Sequence, residues 1–245
     1  MEPTALLIIL AIFLVAVMYS SVGHGGASGY LAVMAFLAVA PELTRPTALV
    51  LNLFVASIGT VQFYRAGYFS WRIFLPFASS SIPMALVGGM ITLPTNAYKI
   101  VLGVVLMLAA VRLAIKLKND DEVKDPPIIA CLLIGAVIGL LSGMVGVGGG
   151  IFLTPILLLM RWAETRVAAG VSVLFILVNS AAGLVGQYSK GALNNLPSEV
   201  WIWIAAAVIG GFIGSTLGSK KFDSITLRRV LAVVLLVAGV KLILV

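Results

Sequence analysis

Ser142-Gly143-Met144-Val145-Gly146-Val147-Gly148-Gly149-Gly150 breaks an apolar run in its middle, and an earlier stretch, Ser21-Val22-Gly23-His24-Gly25-Gly26-Ala27-Ser28-Gly29, does the same. Glycine frees the backbone to leave helical angles and lets other groups come close. In a water-soluble chain such loops would suggest a phosphate cradle. Here the flanks are so apolar that the breaks must lie at membrane depth, where interrupted helices line cavities.

Composition supports that placement. The 245 residues are 61% hydrophobic and 10% charged, with a mean hydropathy of +1.16. Soluble domains carry roughly 25% charged residues. The chain therefore reads as a polytopic membrane protein with membrane lipid as its surroundings. Its net charge of +7 does not point to nucleic acid, because the Lys and Arg residues sit at the ends of apolar runs. Cys131 is the single cysteine, which excludes an intrachain disulfide and a thiol metal cluster. The opening Met1-Glu2-Pro3-Thr4 lacks a positive n-region, so the first apolar segment is expected to be retained rather than cleaved.

The chain reads as two halves. In the first, residues 3–22 lead into a glycine loop, and Tyr30 to Ala40 follows it. Those 11 residues reach about 17 Å as a helix, short of the ~30 Å hydrocarbon thickness. After the polar connector Pro41-Glu42-Leu43-Thr44-Arg45-Pro46 come spans at 47–64, 73–93 and 97–117. Aromatic and cationic residues between Arg65 and Arg72 mark an interface. A charged linker, 118–127, joins the halves. The second repeats the order, with 128–141 before the second loop, 151–160 after it, the connector Arg161-Trp162-Ala163-Glu164-Thr165-Arg166, and spans at 167–188, 200–218 and 225–245.

This is an internal duplication with an offset of 121 to 125 residues. Gly23-His24-Gly25-Gly26 matches Gly146-Val147-Gly148-Gly149, and Gln62-Phe63-Tyr64-Arg65-Ala66-Gly67 matches Gln187-Tyr188-Ser189-Lys190-Gly191. The expected fold is an all-α integral membrane protein of two inverted repeats, residues 1–117 and 128–245. Each is a glycine-broken re-entrant hairpin (3–40 and 128–160) followed by three transmembrane helices.

Charge decides between this and its rival. With three crossings after each hairpin, Arg65, Arg72, Lys116, Lys118, Lys124, Arg161, Arg166, Lys220, Lys221, Arg228 and Arg229 share one side. Only Arg45, Lys99 and Lys190 face the other. That is a positive-inside bias, with the larger group cytoplasmic and the termini outside. Four crossings per half would leave no bias. If the short segment crossed fully the split would hold, but the termini would move to the cytoplasmic side.

With these loops, the Ala-Pro-Glu-Leu-Thr-Arg connector at residues 40–45 and the Gln-Tyr-x-x-Gly span end at residues 187–191, the chain resembles the TauE/SafE family of sulfite exporters along essentially its whole length. The family's G-x-G-G-G-x-x-x-x-P pattern appears as Gly146-Val147-Gly148-Gly149-Gly150-Ile151-Phe152-Leu153-Thr154-Pro155. In the first half His24 takes the variable position, Ala27 replaces the third glycine and Ala32 stands where Pro155 does. The resemblance implies a multi-pass carrier in the bacterial cell (inner) membrane whose partner is a small anionic substrate, sulfite or an organosulfonate.

The segments after the two loops begin with unpaired N–H groups and the positive end of a helix dipole, which suits an oxyanion. No Arg or Lys lies well inside an apolar region, so a buried anion must be held by N–H groups, hydroxyls and amides. The candidate substrate-binding residues are Ser21, Gly23, His24, Gly25, Gly26 and Ser28 in the first half, with Asn52 beyond. In the second they are Gly146, Gly148, Gly149 and Gly150, with Ser172 and Asn179 beyond. Ser20, Ser142 and Thr154 are further hydroxyl candidates, while Gln62 and Gln187 read as interfacial. The competing reading is that the glycines only allow close helix packing and the polar groups only bond between helices.

His24 is the single histidine. It either serves a coupling proton, since histidine titrates near neutral pH, or bonds a freed carbonyl as a neutral ring. Glu42 and Glu164 read as solvated interfacial carboxylates. No Ser-His-Asp set, HExxH or CxxC is present, so no enzymatic activity, cofactor or metal is expected. Two alternatives stay open: a carrier for another small solute or a cation, and a non-transporting scaffold or sensor. Direction, coupling ion and oligomeric state are left open by the residues.

Overall fold

The structure, a computed structural model, describes residues 3–37, 39–114, 123–189, 191, 196 and 198–220, with positions 232, 233, 236, 239, 240 and 243. Among the described residues it is all-helical: α1 (Pro3–Ser20), α2 (Ala27–Phe36), α3 (Pro41–Arg65), α4 (Trp71–Met90), α5 (Thr95–Ala114), α6 (Ile128–Val145), α7 (Gly150–Leu159), α8 (Thr165–Tyr188) and α9 (Val200–Lys220). Of these, α3, α4, α6, α8 and α9 are long and apolar enough to cross a membrane. Residues 118–122 of the expected linker, 115–117 of the third span and most of the expected last span lie outside the described residues. Gly103 of α5 packs against Gly239 and Ile243, which places α5 beside the C-terminal positions that are described.

The breaks fall where the glycines predict. Gly26 and Gly149, the residues just before α2 and α7, hold left-handed angles with φ of 98° and 82°. A residue with a Cβ resists those angles, so each new helix starts there. Both α2 and α7 are 10 residues long, about 15 Å at 1.5 Å per residue.

Three elements differ from their sequence reading: α2 begins at Ala27 rather than Tyr30 and ends at Phe36, α6 runs to Val145 rather than Leu141, and α3 starts early. The connector from Pro41 to Pro46 is helical and forms the start of α3, which begins at Pro41 rather than Thr47. Proline is tolerated at the first helical position because its missing N–H would have no intrahelical partner. Glu164 likewise stands immediately before α8.

Packing crosses the chain midpoint. α1 lies along α9, and α4 lies along both α6 and α8, while α3 packs against α8 and α9. Small residues let these axes approach. Gly135, Gly139 and Gly143 of α6 rest on the backbones of Phe77, Ser81 and Ala85 in α4, and Gly210, Gly214 and Gly218 rest on Phe13, Val17 and Ser21. In lipid, where apolar contact alone does not separate helix from hydrocarbon, such close backbone approach drives association. Two main cores follow: one joins α1, α2, α3, α5 and α9 with Val145, Val147 and Ile151 around the second loop, the other α4, α6, α7 and α8. The exposed side chains of α1, α6 and α9 include Leu6, Leu10, Ile129, Leu133, Trp201 and Phe212, an apolar periphery suited to lipid.

At one end of the bundle Phe69 and Trp71 meet edge-to-face with centroids 4.9 Å apart, with Tyr64 and Phe74 on either side. Arg72 pairs with Asp125 at 2.8 Å, and Lys124 N–H donates to Arg161 O at 2.7 Å. Arg166 bonds the Tyr68 hydroxyl and lies over its ring. Charged and aromatic groups from both halves therefore gather at this end.

Candidate functional site

The two glycine loops meet on one side chain. Asn52 is fully buried in α3. Its Oδ1 accepts the Ala27 N–H at 3.1 Å, the first amide of α2, while its Nδ2 donates to Val147 O at 3.3 Å and to Ser180 Oγ at 3.2 Å. A carboxamide has both acceptor and donors, and these partners fix which way it points. A Cβ on Gly25 would fall 2.6 Å from Asn52 Oδ1, and one on Gly148 would fall 2.7 Å from Asn52 Nδ2. Ile176 Cγ2 of α8 would lie 2.9 Å from either Cβ. Gly25 and Gly148 therefore have no room for a side chain because Asn52 and Ile176 fill it.

A second bridge runs through His24. Its Nδ1 is 3.1 Å from Val22 O, a carbonyl that only accepts, so Nδ1 carries a proton. Its Nε2 is 3.3 Å from Thr154 Oγ1 on α7. Thr154 also reaches Gly150 O at 3.0 Å and Ser172 Oγ at 2.8 Å. In the neutral ring Nε2 accepts from Thr154. In the cationic ring it donates to Thr154, whose own proton then turns to Gly150 O or Ser172. The contact survives in either state. Tyr19 stands edge-on to His24, centroids 6.4 Å apart, and its hydroxyl accepts from Ser28 Oγ at 3.0 Å.

Every candidate from the sequence is buried, and they divide into three groups. Gly25, Asn52 and Gly148 share one centre; His24, Ser172 and Gly150 share the adjoining one through Thr154. Gly26 closes on Tyr30, and Gly149 closes on Phe175, Ile138 and Ser142 Oγ. The others point elsewhere. Ser21 donates to Met18 O at 2.7 Å, within its own helix turn. Gly23 abuts Ala169, and Gly146 abuts the backbone of Arg45. Asn179 donates to Phe175 O at 2.8 Å, leaving its buried Oδ1 with no hydrogen-bond partner among the described residues.

The sequence reading missed several groups. Ser180 and Tyr19 join the network, yet a serine or tyrosine in a span carries no signal of its own. Gln187, read as interfacial, is 4% exposed with its Nε2 unpartnered. Gln62 donates to Thr216 Oγ1 at 3.0 Å. Arg45, read into a polar connector, lies in α3 and donates inward to Gly143 O at 3.1 Å. Glu42 and Glu164 are exposed.

The buried polar side chains among the described residues are Ser, Thr, Asn, Gln and His, and none is a carboxylate. Chemically the centre offers hydroxyls, amides, one imidazole and helix N-termini.

A family profile described as Sulfite exporter TauE/SafE matches residues 8–242. The chain is 39% identical to a Sinorhizobium fredii protein named "Probable membrane transporter protein y4hK", over 99% of both chains. It is 23% identical to the Bacillus subtilis "Probable membrane transporter protein YunE", over 85% of this chain and 83% of that one. Another Bacillus subtilis relative, "Probable membrane transporter protein YjnA", is 26% identical over 90% and 92%. No solved structure matches significantly.

Proposed function

The chain belongs to the TauE/SafE sulfite exporter family and is a multi-pass membrane transporter, and on that premise we propose that it carries a small oxyanion, sulfite or an organosulfonate, across the bacterial inner membrane. The observation that carries the reading is the meeting of both glycine loops on Asn52. It brings the start of α2 and the loop before α7 into one buried centre without a carboxylate among the described residues. Helix N-termini favour negative charge there. In the conformation described, the carboxamide oxygen of Asn52 occupies an N–H group at the start of α2. An arriving anion takes over that N–H, and Asn52 swings aside.

The transport scheme is alternating access between two inverted repeats, residues 1–117 and 128–245, with α1–α2 and α6–α7 as re-entrant hairpins. Cross-packing supports it, since α1 against α9 and α6 against α4 are equivalent pairs at the duplication offset. The gathering of Arg72, Lys124, Arg161 and Arg166 at one end supports the proposed cytoplasmic face. His24 serves a coupling proton in this scheme, because its bridge to Thr154 tolerates both charge states.

Flux assays in proteoliposomes with sulfite, sulfoacetate, taurine and sulfate test the proposal. Oxyanion-dependent flux is expected for at least one, and none for any of them would defeat it. A second reading, a cation as cargo, is favoured by the unpartnered acceptor at Asn179 Oδ1. Titrating anions and cations against Gly26→Ala and Gly149→Ala separates the two, since only the anion reading predicts lost anion response.

A further inference from the structure

Arg45 lies half-buried near the start of α3, one turn after Glu42, with no carboxylate within ion-pair distance among the described residues. Its Nη2 donates to Gly143 O at 3.1 Å, and both Nη atoms are 3.4 Å from Ile91 O. The guanidinium carbon is 5.7 Å from the centre of the Tyr98 ring. Nε is buried and has no hydrogen-bond partner among the described residues. The ion pair of Arg72 with Asp125 lies at the opposite end of α4 from Ile91. Glu42, on the same helix, is exposed and makes no salt bridge with Arg45.

Carbonyls at the ends of α4 and α6 offset part of this charge through the negative end of each helix. They do not neutralise it. A guanidinium offers five N–H donors in a fork that matches an oxyanion, and a partly buried charge with no ion-pair partner favours an anionic one.

Its position is beside the proposed route. A Cβ on Gly146 would sit 3.2 Å from Arg45 O, so Arg45 backs onto the second glycine loop. Asn52 lies two turns further along α3, roughly 10 Å away. At the duplication offset Gly23 takes the place of Gly146 and Ala169 that of Arg45, and Gly23 closes directly on Ala169. The Arg45 guanidinium, on Gly143 O three residues before Gly146, thus stands at one approach; at its counterpart Ala169 carries a methyl group, and Arg166, one turn earlier on α8, is turned to the Tyr68 hydroxyl.

We infer that Arg45 is an anion-capture site at the mouth of the second glycine loop, holding an oxyanion before it reaches Asn52, and that the approach at Gly23 and Ala169 has none. This rests on the oxyanion reading above. It makes the carrier asymmetric: the face on which α3 begins captures substrate at lower concentration than the other.

The test compares wild type, Arg45→Gln and Arg45→Lys in right-side-out and inside-out vesicles, made of zwitterionic lipid with and without anionic lipid. Sulfite flux and thermal stability are read for each. Arg45→Gln should raise the sulfite KM about tenfold on one face only, the loss expected for a charge-assisted hydrogen bond. Arg45→Lys should recover part of it, in both lipids. An unchanged KM in a transporting variant, with or without lowered stability, overturns the inference and leaves Arg45 a cap on α4 and α6. A KM change confined to anionic-lipid vesicles also overturns it, assigning the guanidinium to a lipid phosphate. If Arg45→Gln does not reconstitute, Arg45→Lys decides by the same criterion. Wild type that moves no oxyanion defeats the substrate reading and this inference together, whereas wild-type flux with an unchanged variant defeats this inference alone.

Discussion

Asn52 ties the first amide of α2 to the Val147 carbonyl of the second loop, and its removal leaves both without that partner. Each buried group stranded in this way costs about 1–3 kcal/mol, so Asn52→Ala should lower thermal stability in detergent by that order. The same side chain explains Gly25. Gly25→Ala forces a methyl group onto Asn52 Oδ1, so its cost should shrink in an Asn52→Ala background, with a coupling of about 0.5–3 kcal/mol in a double-mutant cycle. Additive costs would mean that Ile176, the other neighbour of Gly25, sets the limit. His24 is the residue at which coupling is tested. Its ring bridges the Val22 carbonyl to Thr154 and stands edge-on to Tyr19. If it serves the proton, His24→Gln should flatten the pH dependence of flux between about pH 5 and 8, the range in which histidine titrates. An unchanged profile leaves His24 a structural bridge.

At the scale of elements, two glycine stripes set the helix spacing. Gly139 of α6 faces the Ser81 carbonyl and Gly214 of α9 faces the Val17 carbonyl, both too close for a Cβ without movement. Gly139→Val and Gly214→Val must each push a helix pair apart, and both should lose the monodisperse peak on size exclusion and the bulk of folded yield. Overpacking costs typically about 1–3 kcal/mol. A valine at either position with normal yield would show that the interface tolerates separation. These pairs are also equivalent at the duplication offset, with the stripe on α6 in one and on α9 in the other. The repeat of the sequence is thus kept in which helices touch, while the residues that allow the touch have diverged.

For the whole molecule, the proposed arrangement of inverted halves makes a topological prediction. In a Cys131→Ser background, cysteines placed at Arg72 and Arg161 should react with a membrane-impermeant thiol reagent from one face, and a cysteine at Glu42 from the opposite face. All three positions are exposed. Labelling of Glu42→Cys from the same face as Arg72→Cys would refute the inverted arrangement. The packing gives this experiment its rationale, because α1 and α6 each lie against a helix of the opposite half. Neither half completes its core alone, and expression of residues 1–117 by themselves should give no stably folded product.

The residues alone determined the membrane class, the two glycine breaks between helices, the apolar helices between charged ends and the family. Each depends on local pattern: apolar length, the angles only glycine accepts readily, and cations at span ends. The loop residues of the candidate site were legible for the same reason. Only the tertiary structure decided that Asn52 joins both loops, that His24 crosses to Thr154, that Gln187 is buried and that Arg45 turns inward to Gly143. Those contacts pair positions far apart in the chain, through helices whose apolar faces look alike in sequence. Which face of one helix meets which face of another is settled by packing, and glycine spacing sets how closely they approach.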